Sequence, residues 1–558
     1  PPGASAPTGS AAQSDPAAPA TPATAPPAPA EPAADAPLDA DAVEAIRAGY
    51  AFEGAALELG ALVNGGPQPD VQVRIPLAMT DRHGLVAGAT GTGKTRTLQG
   101  LAEQLSAAGV SVFAADIKGD LSGMLVAGTG NEKLLQRTAG IGQDWTPASF
   151  PVEFFSLGGA GRGVPIRATV AGFGPLLLAK ALGLNDTQES SLGLVFHYAE
   201  TQGLALLDLE DLRAVLAYLV SDDGKAELAG VGGLSKATVG VILRELVAFA
   251  ADGAEVFFGE PEIDTQVFLR TAADGRGLIS LLEVPGVADK PALYSTFLMW
   301  LLADLFNDLP EVGDLDRPKL VFFFDEAHLL FADASKDFLA QIVQTVRLIR
   351  SKGVGVFFVT QTPKDVPGDV LAQLGSRVQH QLRAFTPDDA KALKATVSTY
   401  PTSDYDLAEV LASLGTGEAV VTVMDEDGAP TPVAWARLRA PQGAMSPAPD
   451  ASIDAAVAAS PLMAQYGTAL DRESAAELLT ARLNAAAAAE AAAEAQEAEA
   501  KAAEARAAEA RKAERSTRTT SRSRSAPKSP LEQILGSKAT RDVVTSVLGG
   551  IFGTRRRR

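Results

Sequence analysis

The residues Gly88-Ala89-Thr90-Gly91-Thr92-Gly93-Lys94-Thr95 follow the spacing GxxxxGK[ST]. An apolar run, Leu85-Val86-Ala87, precedes them and a helical pattern from Thr95 to Ala107 follows. A phosphate-binding loop needs that setting, because its backbone N–H groups then curl round a β-phosphate at the positive end of a helix. Lys94 has the reach and charge to meet the β- and γ-phosphates, and the Thr95 hydroxyl is a ligand for Mg²⁺. The glycines let the backbone approach the phosphates at angles a Cβ forbids. ATP and Mg²⁺ are therefore the expected ligands. The chain has no Cys, and its four histidines, His83, His197, His328 and His380, are scattered. Oxygen ligands for the metal follow from that inventory.

A second group lies more than two hundred residues on, in Lys319-Leu320-Val321-Phe322-Phe323-Phe324-Asp325-Glu326-Ala327-His328. An apolar run ending in an acidic pair predicts a buried parallel strand that delivers carboxylates at its C-terminal edge, where open α/β sheets bind ligands. Asp325 would hold the Mg²⁺ shell through water, and Glu326 would polarise the attacking water. Gly355–Gln361 predicts another buried strand, ending in the Gln361 amide that can report on a γ-phosphate. Asp116 ends the run Val110–Asp116. It either supports the Mg²⁺ water network or caps the turn that follows. Asp325-Glu326-Ala327-His328 also spells the box of the DEAH helicases. Those enzymes need further motifs in a second lobe, and Thr360-Gln361-Thr362 does not supply them.

The elements that must position these groups fit an α/β fold: a RecA-like P-loop NTPase core with an inserted helical subdomain. Residues 1–40 are nearly all Ala, Pro, Ser, Thr and Asp and cannot bury a core, which predicts a disordered arm. The ATPase domain spans 41–440, with helical periodicity over about 170–260 marking the insertion. A strand is expected at Arg377–Phe385 and a hairpin around Glu418–Leu438, turning at Asp425-Glu426-Asp427-Gly428. Beyond it come a linker at 441–473 and an Ala/Glu-rich helix at 474–515, supported by pairs such as Glu497–Lys501. A Ser/Arg linker at 516–530 and a short amphipathic, basic tail at 531–558 close the chain.

Net charge is −20, which argues against a uniformly basic nucleic-acid binder, but the sign is uneven. Arg511–Arg558 carries thirteen Lys/Arg against three Asp/Glu, leaving the remainder near −30. An acidic motor can still have a locally basic pore. The apolar stretch near Leu293–Phe306 is too short for a membrane span and is interrupted by Asp304. No signal peptide is visible, so a cytoplasmic protein is the expectation.

Residues 43–440 resemble the bacterial HerA-like ATPases of the YjgR type, within the HerA/FtsK superfamily. The matching blocks include Gly88–Thr95, Asp116-Ile117-Lys118-Gly119-Asp120-Leu121-Ser122-Gly123, Phe258-Gly259-Glu260-Pro261 and Arg270–Gly277. They continue with Leu309–Leu315, Phe322–Leu330, Val346–Gly355 and Gly375–His380. The resemblance implies an ATP-driven ring motor, a homo-hexamer by analogy with HerA, acting as a DNA helicase or translocase. No base-reading motif is present, so DNA would be held through its backbone. HerA proper carries an N-terminal β-barrel that docks a nuclease. Only about 40 residues separate Asp41 from the first core strand here, so the resemblance carries over no nuclease partner.

A ring motor also needs a cation from the neighbouring subunit, since charge builds on the γ-phosphate in the transition state. Arg347, Arg350, Arg377 and Arg383 are the candidates. Arg377 is favoured because its strand follows the sensor strand and is expected toward the sheet edge. Two other readings stay open: an ATPase that moves or remodels protein cargo, and a nucleotide-switched scaffold without translocation.

Overall fold

The computed structural model describes residues 36–228, 232–283, 291–331 and 336–519. The chain divides into two compact units, one up to Ala481 and one from Arg482. The first is built on a twelve-stranded sheet. Its strands are β1 (Ala56–Val63), β2 (Pro67–Pro76), β3 (Gly84–Ala87), β4 (Ser111–Asp116), β5 (Val152–Leu157) and β6 (Val164–Ile166). The series continues with β7 (Ile279–Glu283), β8 (Leu320–Phe324), β9 (Val354–Thr360), β10 (Ser376–Gln379), β11 (Glu418–Thr422) and β12 (Ala434–Leu438). Their spatial order is β2-β1-β12-β11-β10-β3-β9-β8-β4-β7-β5-β6.

From β10 to β6 every neighbouring pair is parallel. Parallel strands are covered on both faces, so their sequences read as unbroken apolar runs. In β8 the side chains alternate between two cores: Phe322 and Phe324 join one, Val321 and Phe323 the other. β9 divides in the same way, with Val356 and Phe358 opposed to Phe357 and Val359. The order β10-β3-β9-β8-β4 inserts β9 between the strand that leads into the glycine-rich loop and the strand that ends at Asp325, as a RecA-like core requires.

Three helices of the expected insertion, α1 (Asp186–Thr201), α2 (Leu209–Leu219) and α3 (Lys236–Ala251), start at the side-chain caps Asn185, Asp208 and Ser235. Each cap satisfies N–H groups that the first turn leaves without intrahelical partners. Leu192, Leu216 and Ile242 lie in the same core as Phe322, so the insertion is continuous with one face of the sheet.

Several expectations change. Two strands, β1 and β2, precede β3, and with β11 and β12 they extend the sheet in antiparallel fashion. β2 is an edge strand, which tolerates Pro67, Pro69 and Pro76. The strand expected over Arg377–Phe385 stops at Gln379. The hairpin at Glu418–Leu438 forms as β11 and β12, with Gly428 at φ +81 in its turn. Segment 441–473, read as a linker, contains the helix Asp450–Ala459 and buries Ile453, Leu462 and Tyr466. A helix spans Ala475–Thr519, with Ala475 and Leu479 in the core of the first unit. The expectations for residues 1–35 and 520–558 lie outside the described residues.

Candidate nucleotide site

The loop Gly88–Thr95 joins β3 to the helix Lys94–Ala107. Gly91 and Gly93 have φ of +82 and +117, a region that costs an L-residue about 1–2 kcal/mol. A Cβ on Gly88 would stand 2.4 Å from His380 Cβ, so this position needs glycine for space. Among the described residues, the amides of Gly91, Lys94 and Thr95 have no backbone acceptor, which leaves them available to an anion at the helix start. Lys94 Nζ donates to the loop's own carbonyls, Gly88 O at 2.6 Å and Ala89 O at 3.3 Å. Burial pulls the Lys94 pKa down, against the opposing charges of Glu326 and Asp325. Thr90, Thr92 and Ala89 complete the loop, with Thr92 Oγ1 donating to Ala89 O at 2.7 Å.

Parallel pairing sets the loop beside the other strand ends. Ala87 is opposite Thr360, and Gly88 N donates to Thr360 O at 3.2 Å. Gln361 follows directly and is exposed, at the mouth of the β3–β9 seam. Phe324 is opposite Phe358 on one side and Ala115 on the other, so Asp325 and Glu326 emerge between β9 and β4. Ala327 N donates to Val359 O at 2.8 Å and fixes the turn. Burial and the neighbouring Glu326 charge push Asp325 up to about 6. Glu326 has φ +49, a left-handed conformation uncommon outside glycine and frequent where structure serves function. Burial raises the Glu326 pKa, but its bond to Lys118 and the charges of Lys118, His328 and Lys94 outweigh that and hold it below the usual carboxylate value.

The two readings of Asp116 are resolved by its contacts. Its Oδ1 accepts from Lys118 N (3.2 Å) and Gly119 N (2.8 Å), and its Oδ2 from Leu121 N (2.8 Å). Asp116 therefore caps the turn. That turn presents Lys118, whose Nζ forms an ion pair with Glu326 Oε1. Lys118 stands in one of the blocks that carry the resemblance, but its meeting with Glu326 follows only from the adjacency of β4 and β8.

Arg377 requires a correction. β10 lies inside the sheet between β3 and β11, with Arg377 level with Leu85 rather than with the loop. Its guanidinium donates to Thr399 Oγ1 at 2.6 Å and lies over the Tyr400 ring. Arg383, further along, donates to Thr90 O at 3.2 Å within its own loop. Arg350 is paired with Asp314.

These residues fit a nucleoside triphosphate with a divalent ion: an anion cradle, one ammonium, one hydroxyl at Thr95 and a buried carboxylate at Asp325. Among the described residues no group of three or more His, Asp or Glu forms a metal cage, so the ion would take its remaining oxygens from phosphate and water. No helix among the described residues is long and apolar enough to cross a membrane.

The chain is similar to several known proteins. The family described as "Helicase HerA-like C-terminal" matches residues 62–557. The DNA double-strand break repair helicase HerA of Sulfurisphaera tokodaii is 23% identical over 376 residues, covering 66% of this chain and 67% of the relative. "Probable helicase MJECL08" of Methanocaldococcus jannaschii is 29% identical over 150 residues, covering 26% of this chain and 28% of the relative. The chain thus spans little over a quarter of one curated relative and two thirds of the other. Among solved structures, the conjugative coupling protein TrwB lacking its first 70 residues is 16% identical with a TM-score of 0.48, covering 73% of this chain and 94% of that one. VirB4 of Thermoanaerobacter pseudethanolicus is 15% identical with a TM-score of 0.44, covering 70% and 97%. Because the family match runs across both the phosphate loop and the acidic strand end, this chain belongs to the HerA-like helicase C-terminal family.

Proposed function

We propose that this protein is a Mg²⁺-dependent ATPase that works as a homo-hexameric ring and translocates on DNA through backbone contacts. The observation that carries the reading is the strand order: Lys94 follows β3 through the loop and the Asp325–Glu326 pair follows β8, with β9, which runs into Gln361, between those two strands. Lys94 binds the β- and γ-phosphates once its bonds to Gly88 O and Ala89 O exchange for phosphate oxygens. Thr95 and Asp325 would hold the ion, Asp325 through water. Bound Mg²⁺ would neutralise charge on the β- and γ-oxygens. Glu326 takes the proton of the attacking water, and Gln361 contacts the γ-phosphate from the next strand.

Arg377 remains the proposed cation for a neighbour's site, though not through a place at the sheet edge. Its bonds to Thr399 are exposed to solvent, where a second copy can compete for the guanidinium. DNA as the polymer is supported by the family and by the relative described as a DNA double-strand break repair helicase. A protein-moving ATPase would use the same site.

The deciding experiment measures ATP hydrolysis by the full chain with and without duplex DNA, with the mass of the assembly determined alongside. Stimulation by DNA in a ring-sized assembly supports the reading. Hydrolysis indifferent to DNA in a monomer overturns it.

A further inference from the structure

Glu326 is paired with a lysine on one oxygen and, among the described residues, accepts no hydrogen bond on the other. Oε1 is paired with Lys118 Nζ. Oε2 is buried and accepts no hydrogen bond among the described residues, and His328 Nδ1, 3.3 Å away, makes none with it either. A buried carboxylate oxygen that accepts no hydrogen bond calls for an explanation, because its desolvation is not repaid by a donor there. Lys118 is anchored from behind, since Asp116 accepts its N–H and those of Gly119 and Leu121. It reaches Glu326 from β4, while Lys94 approaches from β3 on the other side. The φ of +49 at Glu326 sets the direction of the side chain, and the ion pair fixes its rotation.

We propose that Lys118 is a positioning residue for hydrolysis: it occupies Glu326 Oε1 so that Oε2 alone is offered to the attacking water. The inference rests on the reading of Glu326 as the catalytic base. In this role Lys118 acts by holding that base and not by binding the phosphates. A base displaced by about 1 Å loses on the order of 100-fold in rate. A flexible Glu326 would also rotate toward the Lys94 ammonium and neutralise the charge that meets the phosphates.

Full-length Lys118→Met, Lys118→Arg, Glu326→Gln and the Lys118→Met/Glu326→Gln double variant test this. Lys118 is half-exposed at its side chain, and thermal melting establishes that each variant is folded. The readouts are kcat, KM and the Kd of a fluorescent non-hydrolysable ATP analogue. Lys118→Met is expected to lower kcat about 10- to 100-fold with Kd within about twofold of wild type, and Lys118→Arg to restore most of the loss. In the Glu326→Gln background, Lys118→Met should add less than about a twofold further loss, because both changes act through one group. A rise in kcat would make the ion pair inhibitory and overturn the proposal. A parallel weakening of Kd would make Lys118 a phosphate ligand and also overturn it. Wild-type hydrolysis by Glu326→Gln would instead remove the reading on which the proposal rests.

Discussion

His380 Nε2 lies 2.9 Å from Thr97 Oγ1, so the segment after β10 braces the first turn of the helix that follows the phosphate loop. The His380 main chain also donates to Ala87 O at 2.7 Å, beneath Gly88. Gly88→Ala should therefore act through this contact, since the added Cβ would stand 2.4 Å from His380 Cβ. The expected loss is about 1–3 kcal/mol of folding free energy, with weaker nucleotide binding. Gly91→Ala meets no atom within 4 Å and should cost only its backbone strain. Denaturant unfolding of both variants checks this, and an unaltered Gly88→Ala would refute the bracing role.

The same histidine makes a pH prediction. Burial, with the Lys94 charge adding to it, pulls the His380 pKa down to about 4 from an ordinary value of 6.5. Between those values the unfolded chain binds the proton and the native state does not, so this group's contribution to stability falls as pH falls. His83 acts in the same direction, whereas Asp325 and Asp81, each pushed up to about 6, act in the opposite one. The isolating measurement is the stability gap between wild type and His380→Gln. It should shrink on going from pH 6.5 toward 4, by at most about 1.4 kcal/mol per pH unit. A gap that stays constant across that window would contradict the assignment.

The phosphate loop and the acidic pair separate binding from chemistry. Lys94→Ala should abolish hydrolysis by removing the phosphate cation. Glu326→Gln should keep ATP binding and lose hydrolysis, because the cradle is untouched while the water loses its base. Binding titrations and single-turnover assays on the two variants distinguish these outcomes.

Subunit mixing addresses the arginines. Inactive Arg377→Ala subunits mixed with inactive Lys94→Ala subunits should regain partial activity, since some interfaces then pair an intact loop with an intact arginine. Arg383→Ala mixed in the same way should regain nothing, because Arg383 serves Thr90 of its own chain. No recovery with Arg377→Ala in verified mixed rings would remove it as the cation supplied across the boundary.

At the N-terminal end, the cut site matters. Leu38 is buried and exchanges hydrogen bonds with Asn64, and Asp39 caps the helix Ala40–Gly49 by accepting from Ala42 N at 2.8 Å. Deleting residues 1–35 should leave the melting temperature nearly unchanged. Deleting 1–40 should cost about 1–3 kcal/mol through the lost cap and the lost apolar burial. Equal melting temperatures for the two truncations would count against this docking.

The sequence by itself determined the chemistry that is local. The loop Gly88–Thr95, the run Leu320–Phe324 ending in Asp325-Glu326, and the strand ending before Gln361 were legible because a strand buried on both faces must be apolar throughout, and functional groups sit where it ends. What lies between strand ends was not legible, because it depends on which strands are neighbours. Nothing near Lys118 announces that β4 pairs with β8 and brings it to Glu326. Asp116 offered two roles until three backbone N–H groups were found on its carboxylate. β1 and β2 were hidden by prolines that only an edge strand tolerates, and by Gly60, where a Cβ would meet Arg437 O at 2.1 Å. Arg377 was misplaced because four antiparallel strands continue the sheet beyond β10. Local pattern encodes what each segment is, while long-range pairing decides which side chains share a site, and here only the tertiary structure supplied that pairing.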